Sequence, residues 1–218
     1  MTTLAAIAAR AAADHLAPIG AFHTCQGDGL PEGIKTLVLL GPDEPGFWAC
    51  LTASAEWRDG APDPVDRWSA RVIGGLAEIF GGKPFFPFGG APYYPFYQWA
   101  LRSGRAWASP VTLLVHERAG LMVSYRGAIG LPELIDVPPA PAASPCDGCA
   151  GRPCLAACPP AALTAKGYDV AACHAFLDQP AGGDCLSFGC AVRRACPLSQ
   201  AYGRLAEQSA YHMRLFHP

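Results

Sequence analysis

The chain has 218 residues, of which 51% are hydrophobic and only 16% charged, with a formal net charge of −2. That length supports one sizeable core, or one domain with a small appendix, and the charge excludes the strongly basic face that nucleic acid demands. No run approaches the roughly 18–20 apolar residues of a membrane span.

The opening "MTTLAAIAARAAADHLAPIG" has no basic start and is broken by Arg10, Asp14 and His15. No signal peptide is expected, and a cytoplasmic location is. Residues 3–17 predict an Ala-rich helix that stops before Pro18. The apolar run 35–41, "KTLVLLG", predicts a buried strand. Over 63–82, Val65, Trp68, Val72, Leu76, Ile79 and Phe80 recur at helical spacing, with Asp63 as the expected cap, Pro64 in the first turn and Gly81-Gly82 as the stop. A further helix is expected over 94–104, with Pro95 at its start. The segment 109–131 carries two apolar runs around a turn containing Gly120, which predicts a β-hairpin. The Pro/Ala-rich stretch 131–145 reads as a linker. This order of elements predicts an α+β core rather than repeated βαβ units. The expected division is a domain over 1–137 and a second over 138–218.

Cysteine usage is lopsided. Cys25 and Cys50 are isolated, whereas Cys146, Cys149, Cys154, Cys158, Cys173, Cys185, Cys190 and Cys196 all follow residue 145. In a reducing compartment clustered cysteines bind metal more often than they pair. The bacterial ferredoxin arm is C-x2-C-x2-C-x3-C-P, in which three thiolates grip one cluster and the fourth crosses to the other. Here Cys146-x2-Cys149 opens that pattern and Cys154-x3-Cys158-Pro159 closes it, but the middle gap holds four residues, including Gly151 and Pro153. By the same crossing logic Cys146, Cys149, Cys154 and Cys196 form one set, and Cys158, Cys173, Cys185 and Cys190 the other. Two [4Fe–4S] clusters are expected. One cluster stays open because the second set has no C-x2-C. Zinc stays open through His174 beside Cys173, and disulfides would require export.

The first 145 residues contain no GxGxxG or P-loop, and no catalytic residue is assigned. The stretch 83–99, "KPFFPFGGAPYYPFYQW", holds eight aromatic residues in its last fifteen positions. It suits either a core packed with rings or the wall of a flat ligand pocket with tyrosine hydroxyls and Gln98 as polar fixtures.

"DPVDRW", "APYYPFYQ" and "TLLVHERAGLMVSYRGAIGLPELIDVPP" resemble, in the same order, segments of the cobalamin-processing chaperone family, the decyanase/dealkylase of methylmalonic aciduria and homocystinuria type C. The resemblance covers roughly residues 60–140. It implies a nitroreductase-like antiparallel sheet flanked by helices that binds cobalamin with its nucleotide base off the cobalt. The cysteine-rich tail is similar instead to those of epoxyqueuosine reductases and reductive dehalogenases. This implies a small, α-rich, ferredoxin-like region, with "ACHAFL" at 172–177 matching an intervening ligand. The last arm, Cys190-x5-Cys196, is looser than in those proteins.

The function so implied is a cobalamin reductase or processing protein. Its clusters would pass electrons to cobalt and release cyanide, water or an alkyl group, with a flavodoxin, ferredoxin or flavoprotein as donor. Tyr94, Tyr97 and Gln98 would then face the corrin, and Arg126 would bind an amide or phosphate of it or make an ion pair. His116 would contact the displaced base or cap the hairpin. The alternatives are a cobalamin-dependent reductase of an organic substrate and a plain ferredoxin-like electron-transfer protein.

Overall fold

The computed structural model describes residues 2–218. Its elements in chain order are α1 (Leu4–Ala12), β1 (Leu16–His23), β2 (Thr36–Pro42), α2 (Gly46–Thr52), α3 (Ala55–Arg58), α4 (Pro64–Ile79), β3 (Lys83–Phe85), α5 (Phe96–Arg102), β4 (Ala106–Ala108), β5 (Leu114–His116) and β6 (Gly127–Leu131). There follow β7 (Leu163–Thr164), β8 (Gly167–Tyr168), α6 (Val170–Leu177), α7 (Gly183–Phe188), α8 (Ala191–Ala195), α9 (Pro197–Ala201) and α10 (Ala206–Phe216). The fold is mixed α+β with antiparallel sheets. Among the described residues no helix is long and apolar enough to cross a membrane.

The chain forms two compact units. One runs to Arg105 and resumes over Ser124–Pro141; the other is Ala106–Val123 joined to Ala142–Pro218. The segment 106–123, expected inside a 1–137 domain, therefore belongs to the C-terminal unit.

The N-terminal unit is a four-stranded antiparallel sheet in the order β1-β2-β6-β3. Thr36–Pro42 is buried throughout, as a strand paired on both sides and covered by helices must be. The expected first helix is shorter than predicted, because His15 turns into the left-handed region at φ 50 and the next residues pair with β2 from Leu16↔Pro42 onward. Thr3 caps the helix, accepting from the Ala6 amide at 3.1 Å. Pro18 is tolerated because β1 lies at the sheet edge, where an absent N–H costs no ladder bond.

Helix α4 lies against β6 and β3 and buries Val65, Trp68, Val72, Ile73, Leu76 and Ala77; the expected face gains Ile73 and Ala77 and loses Ile79, which is exposed, and Phe80, which is only half-buried. Asp63 precedes it with φ 54 and makes no side-chain cap; its carbonyl, not its carboxylate, accepts from Asp66 and Arg67. The Trp68 ring stands edge-on to Phe47 at 5.4 Å. β6 receives the helix and its neighbours through glycine: a Cβ on Gly130 would meet the Phe85 ring at 2.6 Å and Ile34 at 2.9 Å.

The hairpin expected over 109–131 does not form. β5 pairs with β4, whereas β6 pairs with β2 and β3. Only the turn survives, as a bridge between His116 and Gly120. The predicted linker begins as part of the N-terminal unit: the Thr36 hydroxyl donates to the Glu133 carbonyl at 2.9 Å, and His23 Nε2 bonds the Ile135 carbonyl at 2.9 Å.

The C-terminal unit is built from short pieces. Two two-stranded ribbons, β4-β5 and β7-β8, accompany five helices, of which α10 packs on α7. Its core is Val111, Val115, Leu121, Cys154, Leu163 and Val192, with Cys146, Cys158, Cys190 and Cys196 packed against it.

Trp68 is 1% exposed and Ile79, on the same helix, 58%. Trp68→Ala should cost roughly 3–5 kcal/mol of unfolding free energy, and Ile79→Ala should stay within about 0.5 kcal/mol. Urea denaturation followed by circular dichroism checks both.

Candidate metal centre

The first group of thiols is assembled by local turns. Ser144 opens it: the Cys146 amide donates to its hydroxyl at 3.2 Å, and the Asp147 carboxylate accepts from the Ser144 amide at 3.1 Å. The four-residue gap before Cys154 is absorbed by two successive left-handed residues, Gly151 at φ 70 and Arg152 at φ 41. A 3-10 turn at Pro153–Leu155 then buries Cys154. Cys196 arrives from far along the chain, at the junction where α8 ends and Pro197 starts α9.

Cys146, Cys149, Cys154 and Cys196 line a single narrow cleft. Its apolar walls are Val115, Leu121, Pro153 and Pro197, and Ser109 and the Arg152 side chain also line it. Burial pushes the Cys146 thiol up, reinforced by Cys196 and Cys149. Burial likewise raises Cys154, reinforced by Cys146 and Cys196.

The other four gather separately. Cys173 lies on α6, which Asp169 caps by accepting from the Ala172 amide at 2.9 Å. Cys185 is buried on α7, and Cys190 caps α8. Burial raises the Cys173 thiol, and Cys190 and Cys158 push it further. Burial raises Cys185, with Cys190 adding to it. The Tyr168 hydroxyl lies beside Cys173 and draws its thiol back down, and the Leu163 amide donates to Cys158 Sγ at 3.4 Å.

The four Cys146-set thiols thus surround a cleft, and Cys158 adjoins Cys173. All ten cysteines are free thiols. Among the described residues no three His, Cys, Asp or Glu side chains converge on the position of one metal ion. His174, the residue that kept zinc open, packs its ring edge-on to Phe216 at 4.6 Å and near His217 at 4.8 Å. The arrangement offers two groups of soft donors, the first in a largely apolar cleft, the donor type that thiophilic transition metals prefer. Cys25 is exposed and Cys50 partly buried.

The residues expected at a corrin are spread over both units. In the N-terminal unit Tyr94, 38% exposed, stacks on Trp99 at 5.5 Å and meets Phe85 edge-on at 5.1 Å. Tyr97 is 41% exposed. Gln98 lines an open pocket with Asp28, Pro95, Trp99 and Arg102. Sequence reasoning missed the pocket's ionic floor, where Arg102 pairs with Asp28 at 2.9 Å. Arg126 faces Asp66 at 3.8 Å; burial pushes that carboxyl up and the guanidinium pulls it back. In the C-terminal unit His116 is 1% exposed, and its Nδ1 accepts from the Arg118 and Ala119 amides at 3.1 and 3.3 Å. It caps its own turn, although the hairpin it was expected to cap does not form.

That turn reaches the first thiol group through Gly120. At φ 56, a Cβ here would meet the Ser199 amide at 2.5 Å and Cys196 Sγ at 3.0 Å. The Leu121 amide donates to Ser199 Oγ at 2.9 Å beside it. Gly120→Ala should therefore destabilise the C-terminal unit by about 1–3 kcal/mol. Gly148→Ala, whose Cβ meets nothing within 4 Å, should be near neutral; thermal unfolding of the two variants checks the difference. Comparison with protein-family models, with curated proteins and with solved structures finds no match.

Proposed function

We propose that this chain is a cobalamin reductase or processing protein that carries two [4Fe–4S] clusters. Cys146, Cys149, Cys154 and Cys196 hold one, and Cys158, Cys173, Cys185 and Cys190 hold the other. The observation that carries the reading is the company of Cys196: forty residues beyond the first arm, it lines the same cleft as Cys146, Cys149 and Cys154. A single zinc ion draws four sulfurs to about 2.3 Å from one centre. A cubane gives each thiolate its own iron, so its ligands ring a body instead of converging on a point. A cleft walled by apolar side chains with thiols on its rim suits the second arrangement.

Each cluster, when bound, supplies a one-electron couple whose potential depends on hydrogen bonds, net charge and exposure. The protein contributes the rest. The Leu163 amide at Cys158 and the Tyr168 hydroxyl at Cys173 hold donors on two thiols of the second set. Val115, Leu121 and Val192 keep water from the region between the sets.

The substrate in this reading is cobalamin, bound base-off by the N-terminal unit, whose helix-flanked antiparallel sheet is read as nitroreductase-like; the cysteine-rich unit is read as ferredoxin-like. One electron delivered to cob(III)alamin weakens the upper axial bond, and water or cyanide leaves with the bonding pair. The reductant is a low-potential flavodoxin, ferredoxin or flavoprotein. The support for cobalamin is the sequence resemblance over residues 60–140, together with the pocket at Gln98 and the exposed Tyr97.

A second reading, an electron-transfer protein without a corrin, is favoured by one observation: Phe85, Tyr94 and Phe96 pack on Trp99 as a core would.

Anaerobically purified protein should contain about eight iron and eight sulfide per chain, and added hydroxocobalamin should shift its visible spectrum to the base-off form. Stoichiometric zinc without sulfide would contradict the clusters. Clusters without any cobalamin response would leave the second reading.

A further inference from the structure

Helix α8 is five residues long and is bounded by a cysteine of each set, Cys190 before it and Cys196 after it. Arg193 sits at its centre, about one helical turn from either. Its Nη1 donates to the Leu121 carbonyl at 2.6 Å, and Leu121 is itself a wall of the cleft ringed by Cys146, Cys149, Cys154 and Cys196. The charged and titratable groups facing the guanidinium are Cys190 and Tyr168, both at the second set. The side chain thus bonds the wall of one thiol group and interacts electrostatically with Cys190 of the other.

Its electrostatic situation is unusual. The side chain is part-buried, and burial pulls its pKa below the ordinary arginine value, with Cys190 and Tyr168 pushing the other way. Its neighbour Arg194 has a carboxylate partner in Asp184. Arg193 has none within ion-pair distance among the described residues; its one hydrogen bond is to a neutral carbonyl. A desolvated cation without a counter-anion is expensive. Arginine also stays protonated across the accessible pH range, so the cost cannot be shed by losing the proton. An anion beside the guanidinium would offset that cost.

Resting on the two-cluster reading, we propose that Arg193 is the internal counter-charge shared by both clusters. It is a positioning residue whose fixed cation lies between two anionic, thiolate-bound centres and favours the reduced state of each. A cluster bound by four thiolates carries net negative charge, and one more electron from an external low-potential donor adds to it. A fixed cation nearby stabilises the reduced form more than the oxidised form, so the potential rises. Because the second set faces the guanidinium directly and the first is reached through Leu121, the second cluster should feel it more.

The test is an EPR-monitored redox titration with dithionite on anaerobically reconstituted full chain, comparing wild type with Arg193→Gln, Arg193→Lys and Arg194→Gln. Arg193→Gln should move both midpoint potentials to more negative values, one more than the other. Arg193→Lys should recover most of that shift, and Arg194→Gln, whose guanidinium acts on Cys185 of the second set, should move one midpoint and leave the other. Potentials unchanged in Arg193→Gln, or moved equally in Arg194→Gln, would overturn the inference while leaving the clusters in place. If Arg193→Gln does not take up iron, the lysine variant decides. Full loading with near-wild-type potentials supports a role of charge, and failure to load, or potentials far from wild type, overturns it. Wild-type protein without iron and sulfide would overturn the cluster reading itself, and this inference with it.

Discussion

Sulfur packed against a small apolar core is the constraint on which the C-terminal unit depends. Helices α7, α8 and α9 have six, five and five residues, lengths at which an isolated helix does not persist in water. The two ribbons are two or three residues deep, far below what a free hairpin needs. Beside these lie a cluster of five aliphatic side chains and Cys154, with four more cysteines against it, and further buried apolar side chains such as Met122 and Leu177. Metal bound at its thiols would add stability that elements this short do not supply by themselves. Since its thiols are free, the stability of this region and the occupancy of its thiol sites are one question. Metal binding and folding are coupled in such units.

The chain path makes that coupling long-range. Cys196 closes a cleft begun at Cys146, and Cys158 joins residues that come later, so neither set can be completed by one stretch of chain. The clamp of Gly120, Leu121 and Ser199 fixes the remote end: only glycine lets the His116 turn approach Cys196 so closely. Arg193 lies on the helix between the two sets and ties to the same turn through the Leu121 carbonyl. Geometry and electrostatics therefore meet on one short helix, whose two ends are cysteines of different sets.

Local signals in the sequence were legible where local physics decides. The buried run of β2, the apolar face of α4 and the Pro95 start of α5 follow from hydrophobic period and proline alone. β1 was missed because Pro18 and Gly20 disguise an edge strand as a loop. The false hairpin had a real turn at Gly120 and a real buried strand at Gly127–Leu131. Periodicity says that a strand is buried but not what it pairs with, and here its partners lie some ninety and forty-five residues away in sequence. The left-handed pair Gly151-Arg152 was half visible: glycine announces such a turn, arginine does not. Arg193 carried no signal at all, since an arginine pair in a cysteine-rich segment reads as solvated surface until one member is seen without a carboxylate.

The claim that organises this account is the crossing of the two thiolate sets. EPR of the reduced, anaerobically reconstituted protein tests it through four single variants: Cys146→Ser, Cys196→Ser, Cys158→Ser and Cys173→Ser. The account requires Cys146→Ser and Cys196→Ser to perturb one and the same cluster signal, and Cys158→Ser and Cys173→Ser to perturb the other. If Cys158→Ser instead alters the signal altered by Cys146→Ser, while Cys196→Ser alters the one altered by Cys173→Ser, each cluster is held by its own stretch of chain and the crossed arrangement is wrong.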